Sequence, residues 1–314
     1  MKKTIFLSYM VVSASVLGMH NSNLSENRDY KTRSVNAASI TNFGSNNNLS
    51  SEKGHKRHRI EEHVDESLFS SKKGKTKSEF QQSKSLSRRN IKSDLIRAVK
   101  NGRENRVRHL IEERNMDVNL RDDLGKTLLY HAVYHNHEKI VKYLVRHGAD
   151  VNAKDKKGFT PIMFASDINI VKYLAEHDAN LNVANECGDT FLHFLSSHSA
   201  MENDHVIIVK YLVDHGADVN LQNEVGNTPL HLAARINNEI IAKYLIDHDS
   251  SVNKRNLYGN TPLIYAILNN NIKLVQYLRD HGANTDYEYA GNNTALTIAD
   301  NFGRDEIVSL LKKS

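Results

Sequence analysis

From about residue 93 onward, apolar positions recur in two alternating blocks separated by polar, glycine-marked connections. In the first block they fall at i, i+3 and i+4, as in Leu230, Ala233 and Ala234, giving a short helix one stripe of small side chains. The second block carries an aliphatic pair and a leucine one turn later: Ile140-Val141 with Leu144, Ile208-Val209 with Leu212, Ile240-Ile241 with Leu245, and Leu274-Val275 with Leu278. Gly148, Gly216 and Gly282 close second blocks, where a left-handed residue ends a helix without strain. Before the first blocks stand Gly125, Gly158, Gly188, Gly226 and Gly259, spaced by 33, 30, 38 and 33 residues. That period predicts an all-α solenoid of helix-turn-helix units.

The connections carry their own signals. Thr228 fits a helix N-cap and Pro229 the first helical position, and Thr160-Pro161 and Thr261-Pro262 repeat the pair. The clearest copy reads GNTPLHLAA from Gly226 to Ala234, and Gly-Ala-Asp-Val-Asn phrases separate copies. On these motifs the stretch 93–314 resembles the ankyrin-repeat family. The resemblance implies helix pairs linked by β-hairpin-like fingers, in about seven copies: 93–124, 125–157, 158–187, 188–225, 226–258, 259–290 and 291–314. It also implies a non-catalytic protein-binding scaffold, since each copy uses its residues to stack on the next.

Two copies depart from the pattern. Pro161 to Val171 is ten residues where Pro229 to Ile241 is twelve, so the third copy has lost most of a helical turn or its inter-helix turn. The fourth is lengthened around Ser196 to His205, and insertions in such arrays fall on loops. Thr294 to Leu311, followed by Lys312-Lys313-Ser314, reads as a charged capping copy.

By the same resemblance, the residues flanking each finger glycine and the exposed end of each first helix face a concave groove. Here these are Asp123, Leu124, Lys126, Tyr134, His135, Lys156, Lys157, Phe159, Glu186, Asp189, Glu224, Val225, Asn227, Arg235, Ile236, Leu257, Tyr258, Asn260, Leu268 and Asn269. Leu124, Tyr134, Phe159, Val225, Ile236, Leu257 and Tyr258 are the hot-spot expectations, being apolar or aromatic side chains at water-accessible tips.

Candidate chemistry changes little. Tyr143, Tyr173, Tyr211, Tyr244 and Tyr277 form a repeated stripe, expected to pack between second helices with the hydroxyl in water. His131 and His135 lie one helical turn apart, a metal-compatible spacing, but no glutamate follows His131 as a zinc-protease helix requires. Cys187, the chain's one cysteine, pairs with His193 only in a weaker reading as a Cys-dependent hydrolase; its finger position reads as a surface thiol. Gly125-Lys126-Thr127 lacks the upstream glycine of a phosphate loop. No cofactor, metal or small-molecule substrate is expected, and the chain is read as not an enzyme.

The N-terminal part is of another kind. Lys2 and Lys3 precede the apolar run Ile5 to Leu17, with Val16 and Gly18 suiting cleavage after Gly18, so 1–18 reads as a signal peptide and the chain as secreted. Residues 19–92 are poor in large apolar side chains and read as a disordered basic linker. Residues 1–92 hold 17 Lys and Arg against 8 Asp and Glu, net +9, whereas the remainder is net −4. The repeats therefore do not read as a phosphate-gripping surface. KGHKRHR and KKGKTK in the linker support an alternative reading as a nuclear or nucleic-acid-associated factor. Between them Ile60, Val64 and Leu68 would give a short helix one apolar edge. With an export signal, the Lys-, Asn- and Ile-rich chain is similar to the exported ankyrin-repeat proteins of intracellular bacteria.

Overall fold

A computed structural model describes residues 91–198, 203–289 and 293–313; the signal segment, the basic clusters and the Ile60, Val64, Leu68 edge lie outside the described residues. Residues 91 and 92, read as the end of the linker, are helical.

The described residues form pairs of short antiparallel helices. The first helices are α1 (91–100), α3 (Leu128–Tyr134), a 3₁₀ turn (Pro161–Phe164), α6 (Phe191–Ser196), α8 (Pro229–Arg235), α10 (Pro262–Leu268) and α12 (Ala295–Asn301). Their partners are α2 (Glu104–Glu112), α4 (Glu138–Arg146), α5 (Ile168–Ala175), α7 (Asn203–Asp214), α9 (Glu239–Asp247), α11 (Ile272–Asp280) and α13 (Asp305–Leu311). First helices pack on first helices and second on second, so two parallel rows enclose one continuous core. Leu144, Leu174, Leu212, Leu245 and Leu278, one from each of five successive second helices, are all fully buried.

Most of the apolar reading holds, with one shift of register. Ile140-Val141 and Leu274-Val275 are buried, but in α9 the inward pair is Ile241 and Ala242, and Ile240 is 55% exposed. Counting back from the buried leucine explains it: Ile241 lies four residues before Leu245, as Ile140 lies before Leu144. Ile240 takes the outward position of Lys139.

The Thr-Pro device is local, yet its hydroxyl partner depends on the residue three places on. Thr228 accepts from the His231 backbone, and Thr228 N–H donates back to His231 Nδ1 at 3.1 Å, closing a reciprocal cap. Thr190 and His193 do the same, and Thr294 with Thr297. Tyr130, Met163 and Ile264 hold that place in the other three copies and give the threonine N–H no side-chain acceptor, although Thr127 Oγ1 still accepts from Tyr130 N–H at 3.1 Å. The N–H groups of Met163 and Ile264 bond the threonine carbonyls instead, so Thr160 Oγ1 is buried without a partner, and Thr261 Oγ1 turns to Tyr289 Oη at 2.9 Å.

The shortened third copy takes its loss in both forms the sequence allowed. Its first helix is a single 3₁₀ turn, and it lacks a left-handed residue like those that link the helices in other copies, Asn136, Asn237 and Asn270 at φ 57°, 61° and 56°. Asp167 caps α5 almost at once.

Candidate protein-binding face

Each finger is built on one side chain that the sequence reading did not single out. Asp122, Asp155, Asn185, Asn223 and Asn256 stand three residues before the finger glycines, and one Oδ1 of each accepts two backbone N–H groups. For Asp155 the donors are Lys157 and Phe159; for Asn256 they are Tyr258 and Asn260. These turns substitute for a hairpin ladder, and only isolated bridges, Arg121 with Thr127 and Tyr289 with Asn293, occur among the described residues. The fingers are therefore tight turns more than two-stranded hairpins.

Neighbouring fingers then bond through their tips. Lys156 N–H donates to Leu124 O, Glu186 N–H to Lys157 O, Glu224 N–H to Cys187 O, and Leu257 N–H to Val225 O, all at 2.9–3.1 Å. With the tip backbones held in this way, tip side chains point away from the array: Leu124 is 54% exposed and Leu257 75%. Asp123, Lys156, Lys157, Glu186 and Glu224 are exposed too.

Beside the fingers lies a row of aromatic rings from three successive copies. Tyr134 and Tyr130 stack 6.0 Å apart, Phe164 meets Tyr130 at 4.7 Å, Phe159 meets Phe164 at 5.2 Å, and Phe194 meets Phe159 at 5.5 Å. Tyr130 is buried beneath the Lys126 ammonium, which sits 4.7 Å from its ring; Tyr134, Phe159, Phe164 and Phe194 are half-buried. Phe164 and Phe194 were missed from sequence because each stands four residues after its threonine, a place that reads as core.

The remaining predicted residues divide. Arg235, Ile236, Tyr258 and Leu268 are half-buried on the same side, as are Val225 and His135. Asn227 is not free: it is buried, its side chain accepts from Asn256 Nδ2 at 2.8 Å, and its carbonyl receives His193 Nε2 at 3.0 Å. Asn269 is exposed, but its Nδ2 donates to the Ala234 and Arg235 carbonyls and closes the end of α8. Asn260 accepts from His231 Nε2, and Asp189 accepts from Asn223 Nδ2 at 2.7 Å. These four are joints between neighbouring fingers or helices of the array.

None of the residues weighed for catalysis is arranged for it. Burial, followed by the charges of Asp189, Glu224 and Glu186, pushes the Cys187 thiol up, opposite to what a nucleophile needs. His193 has both ring nitrogens engaged, Nδ1 by Thr190 and Nε2 by Asn227, so it is no base for Cys187. His131 bonds Asp122 at 3.0 Å, and burial holds its imidazole down at about 4. No cluster of metal-binding groups occurs among the described residues. Nor is any described helix long and apolar enough to cross a membrane.

On the opposite row, the tyrosines pack as expected, but the hydroxyls of Tyr143, Tyr244 and Tyr277 find protein partners. Tyr143 donates to Glu112 at 3.0 Å, Tyr244 to Asp214, and Tyr277 to Asp247, each an acid of the preceding copy. Each ring also stacks on a histidine four residues later, as Tyr143 does on His147 at 4.0 Å.

Comparison with known proteins agrees with this architecture. The family model described as "Ankyrin repeats (3 copies)" matches residues 95–185, 162–256, 197–289 and 250–314. Over 73 residues, 23% of this chain, the sequence is 38% identical to alpha-latrocrustotoxin-Lt1a of Latrodectus tredecimguttatus. Over 52 residues, 16% of the chain, it is 44% identical to ankyrin repeat and SAM domain-containing protein 6 of Rattus norvegicus, and over 59 residues, 19%, it is 41% identical to ankyrin repeat domain-containing protein 49 of Bos taurus. The matched stretches span 5%, 6% and 25% of these relatives' own lengths.

Proposed function

The chain belongs to the ankyrin-repeat family, and we propose that it is a non-catalytic scaffold that binds another protein through its fingers and first helices. The observation that carries this reading is the row Tyr134, Phe164, Phe159 and Phe194, half-buried beside finger tips whose backbones are already satisfied by one another. Large aromatic side chains held rigid at a partly dry surface are the anchors from which protein interfaces draw most of their affinity. The exposed Leu124 and Leu257 extend the same side at its two ends.

Export belongs to the same proposal, supported by Lys2, Lys3 and the apolar run to Leu17, as does the likeness to exported proteins of intracellular bacteria. Mass analysis of the protein from its native source tests it. A mature chain still beginning at Met1 or Lys2 rejects cleavage.

The binding face is tested by capture on the immobilised chain lacking residues 1–18, identification of what is retained, and measurement of its Kd. Phe159→Ser with Phe194→Ser, and separately Leu257→Ser with Tyr258→Ser, should weaken that Kd at least tenfold, about 1.4 kcal/mol each. The tip pair should leave the melting temperature close to wild type, whereas Leu245→Ala should cost on the order of 2 to 5 kcal/mol. Unchanged affinity in both pairs places the interface elsewhere. A tip variant as unstable as Leu245→Ala makes those residues packing elements.

A further inference from the structure

The row of rings ends beside a charge without a counterpart. Arg235 closes α8, which packs directly on α6, the helix that carries Phe194. Its guanidinium is half-buried, and no hydrogen bond or ion pair engages it among the described residues. Asp189 is the acid whose charge reaches it, but that carboxylate is bonded to Asn223 Nδ2 at 2.7 Å and makes no ion pair with Arg235. Tyr265, the other group whose field it feels, has its hydroxyl occupied by Asn256 Nδ2 at 3.0 Å.

A planar fork of five donors, partly withdrawn from water and unpaired, is an unfavourable state for an arginine. Burial accordingly lowers its affinity for the proton. The corresponding ends of other first helices carry Tyr134, Leu268 and Asn301, so the packing of the array does not itself require a cation here. A carboxylate supplied from outside would satisfy the fork in two parallel bonds.

Resting on the face proposed above, we propose that the partner is an extended peptide segment that lays apolar side chains on Phe159, Phe164 and Phe194 and pairs one carboxylate with Arg235. Geometry sets the spacing. Packed helix axes lie about 8 to 10 Å apart, and an extended chain advances about 3.3 Å per residue, so the acid falls two to four residues from the apolar anchor. The exposed acids Glu186 and Glu224 sit at finger tips, at the far end of the first helices from Arg235. A helix of seven residues separates the two by roughly 10 Å, so these tips leave the carboxylate site uncontested and disfavour further acids near the fingers.

The test is selection of a random twelve-residue peptide library displayed on phage against the full chain, followed by fluorescence anisotropy on synthetic copies of the selected peptides. Selected sequences should carry Asp or Glu two to four residues from a large apolar residue. Arg235→Gln should weaken the acidic peptide at least tenfold, yet leave unchanged a copy in which that Glu is replaced by Gln. Arg235→Lys should recover only part of the loss, since it restores the charge without the fork. Melting curves that coincide with wild type show that the variants remain folded, because the half-buried guanidinium has no bond to lose. Selected peptides with no acid preference, or equal weakening of the Glu and Gln copies by Arg235→Gln, overturn the carboxylate proposal while leaving the aromatic face intact. Failure to select any peptide overturns this proposal and leaves the face to the capture experiment above, whereas peptide binding that ignores Phe159→Ser with Phe194→Ser overturns the face as well.

Discussion

His231 and Thr228 hold one another in a single protonation state. Two groups of the threonine address Nδ1, the backbone N–H at 3.1 Å and the hydroxyl at 2.8 Å, so Nδ1 accepts and the ring proton resides on Nε2, facing the Asn260 carbonyl at 3.1 Å. A proton on Nδ1 would remove the acceptor from a buried N–H, and burial holds His231 down at about 4. An unfolded histidine binds its proton near 6.5. With the folded value depressed, the neutral-state stability is fully present above about pH 6.5 and is lost as pH falls toward 4, where both states are protonated.

Acid should therefore destabilise the array well before carboxylates titrate. Urea midpoints measured between pH 7.5 and 4.5 should fall, with His231 contributing on the order of 2 to 3 kcal/mol and His131 and His193 adding in the same direction. His231→Gln should be less stable at pH 7.5 and show a shallower pH slope. An unchanged slope would show that the cap is not what titrates.

The asparagine of each Val-Asn phrase, and its counterpart Asn182, clamps two copies. Asn220 Nδ2 donates to Asp249 O at 3.0 Å and its Oδ1 accepts from Ser251 N at 2.7 Å; Asn119, Asn152, Asn182 and Asn253 make the corresponding pair of bonds. Asn220→Ala should cost about 1 to 2 kcal/mol in denaturant titration, and Asn220→Asp should keep only the accepting half. Equal stability for all three chains would mean that water replaces the clamp at no loss.

Gly188 and Gly216 separate two reasons for a glycine. Both have positive φ, 77° and 91°, but a Cβ on Gly216 would meet nothing within 4 Å, whereas on Gly188 it would lie 2.8 Å from Glu224 N and 2.9 Å from Asn223 Cα. Gly216→Ala should cost only the backbone strain, about 1 to 2 kcal/mol. Gly188→Ala should cost more, because it must also open the bond from Glu224 N–H to Cys187 O. Thermal melts of the two variants decide the order.

Cys187 should behave as an unactivated thiol. Burial and the surrounding acids raise it, so alkylation by iodoacetamide at pH 7.5 should be slower than that of glutathione and should need a higher pH to accelerate. Rapid alkylation at neutral pH, lost in His193→Ala, would revive the hydrolase reading.

The helix pairs, their glycine stops, the finger glycines and the collapse of the third copy were legible because each is written within one copy. A cap, a positive φ or a stripe at i, i+3 and i+4 is satisfied by neighbours in sequence, so a TPLH-type phrase and its stop are enough to read it. What the sequence could not supply lies between copies. Phe159, Phe164 and Phe194 become one surface only when the third and fourth copies stack, and Asn227 leaves the candidate face only because Asn256 of the next finger and His193 of the preceding copy reach it. Ile240 turns outward because the buried leucine, not the aliphatic pair, fixes the register of α9. Arg235 is set apart by what does not contact it, which no residue spacing reveals. Local chemistry determined the unit; stacking across about thirty residues decided which of its side chains remain available to a partner.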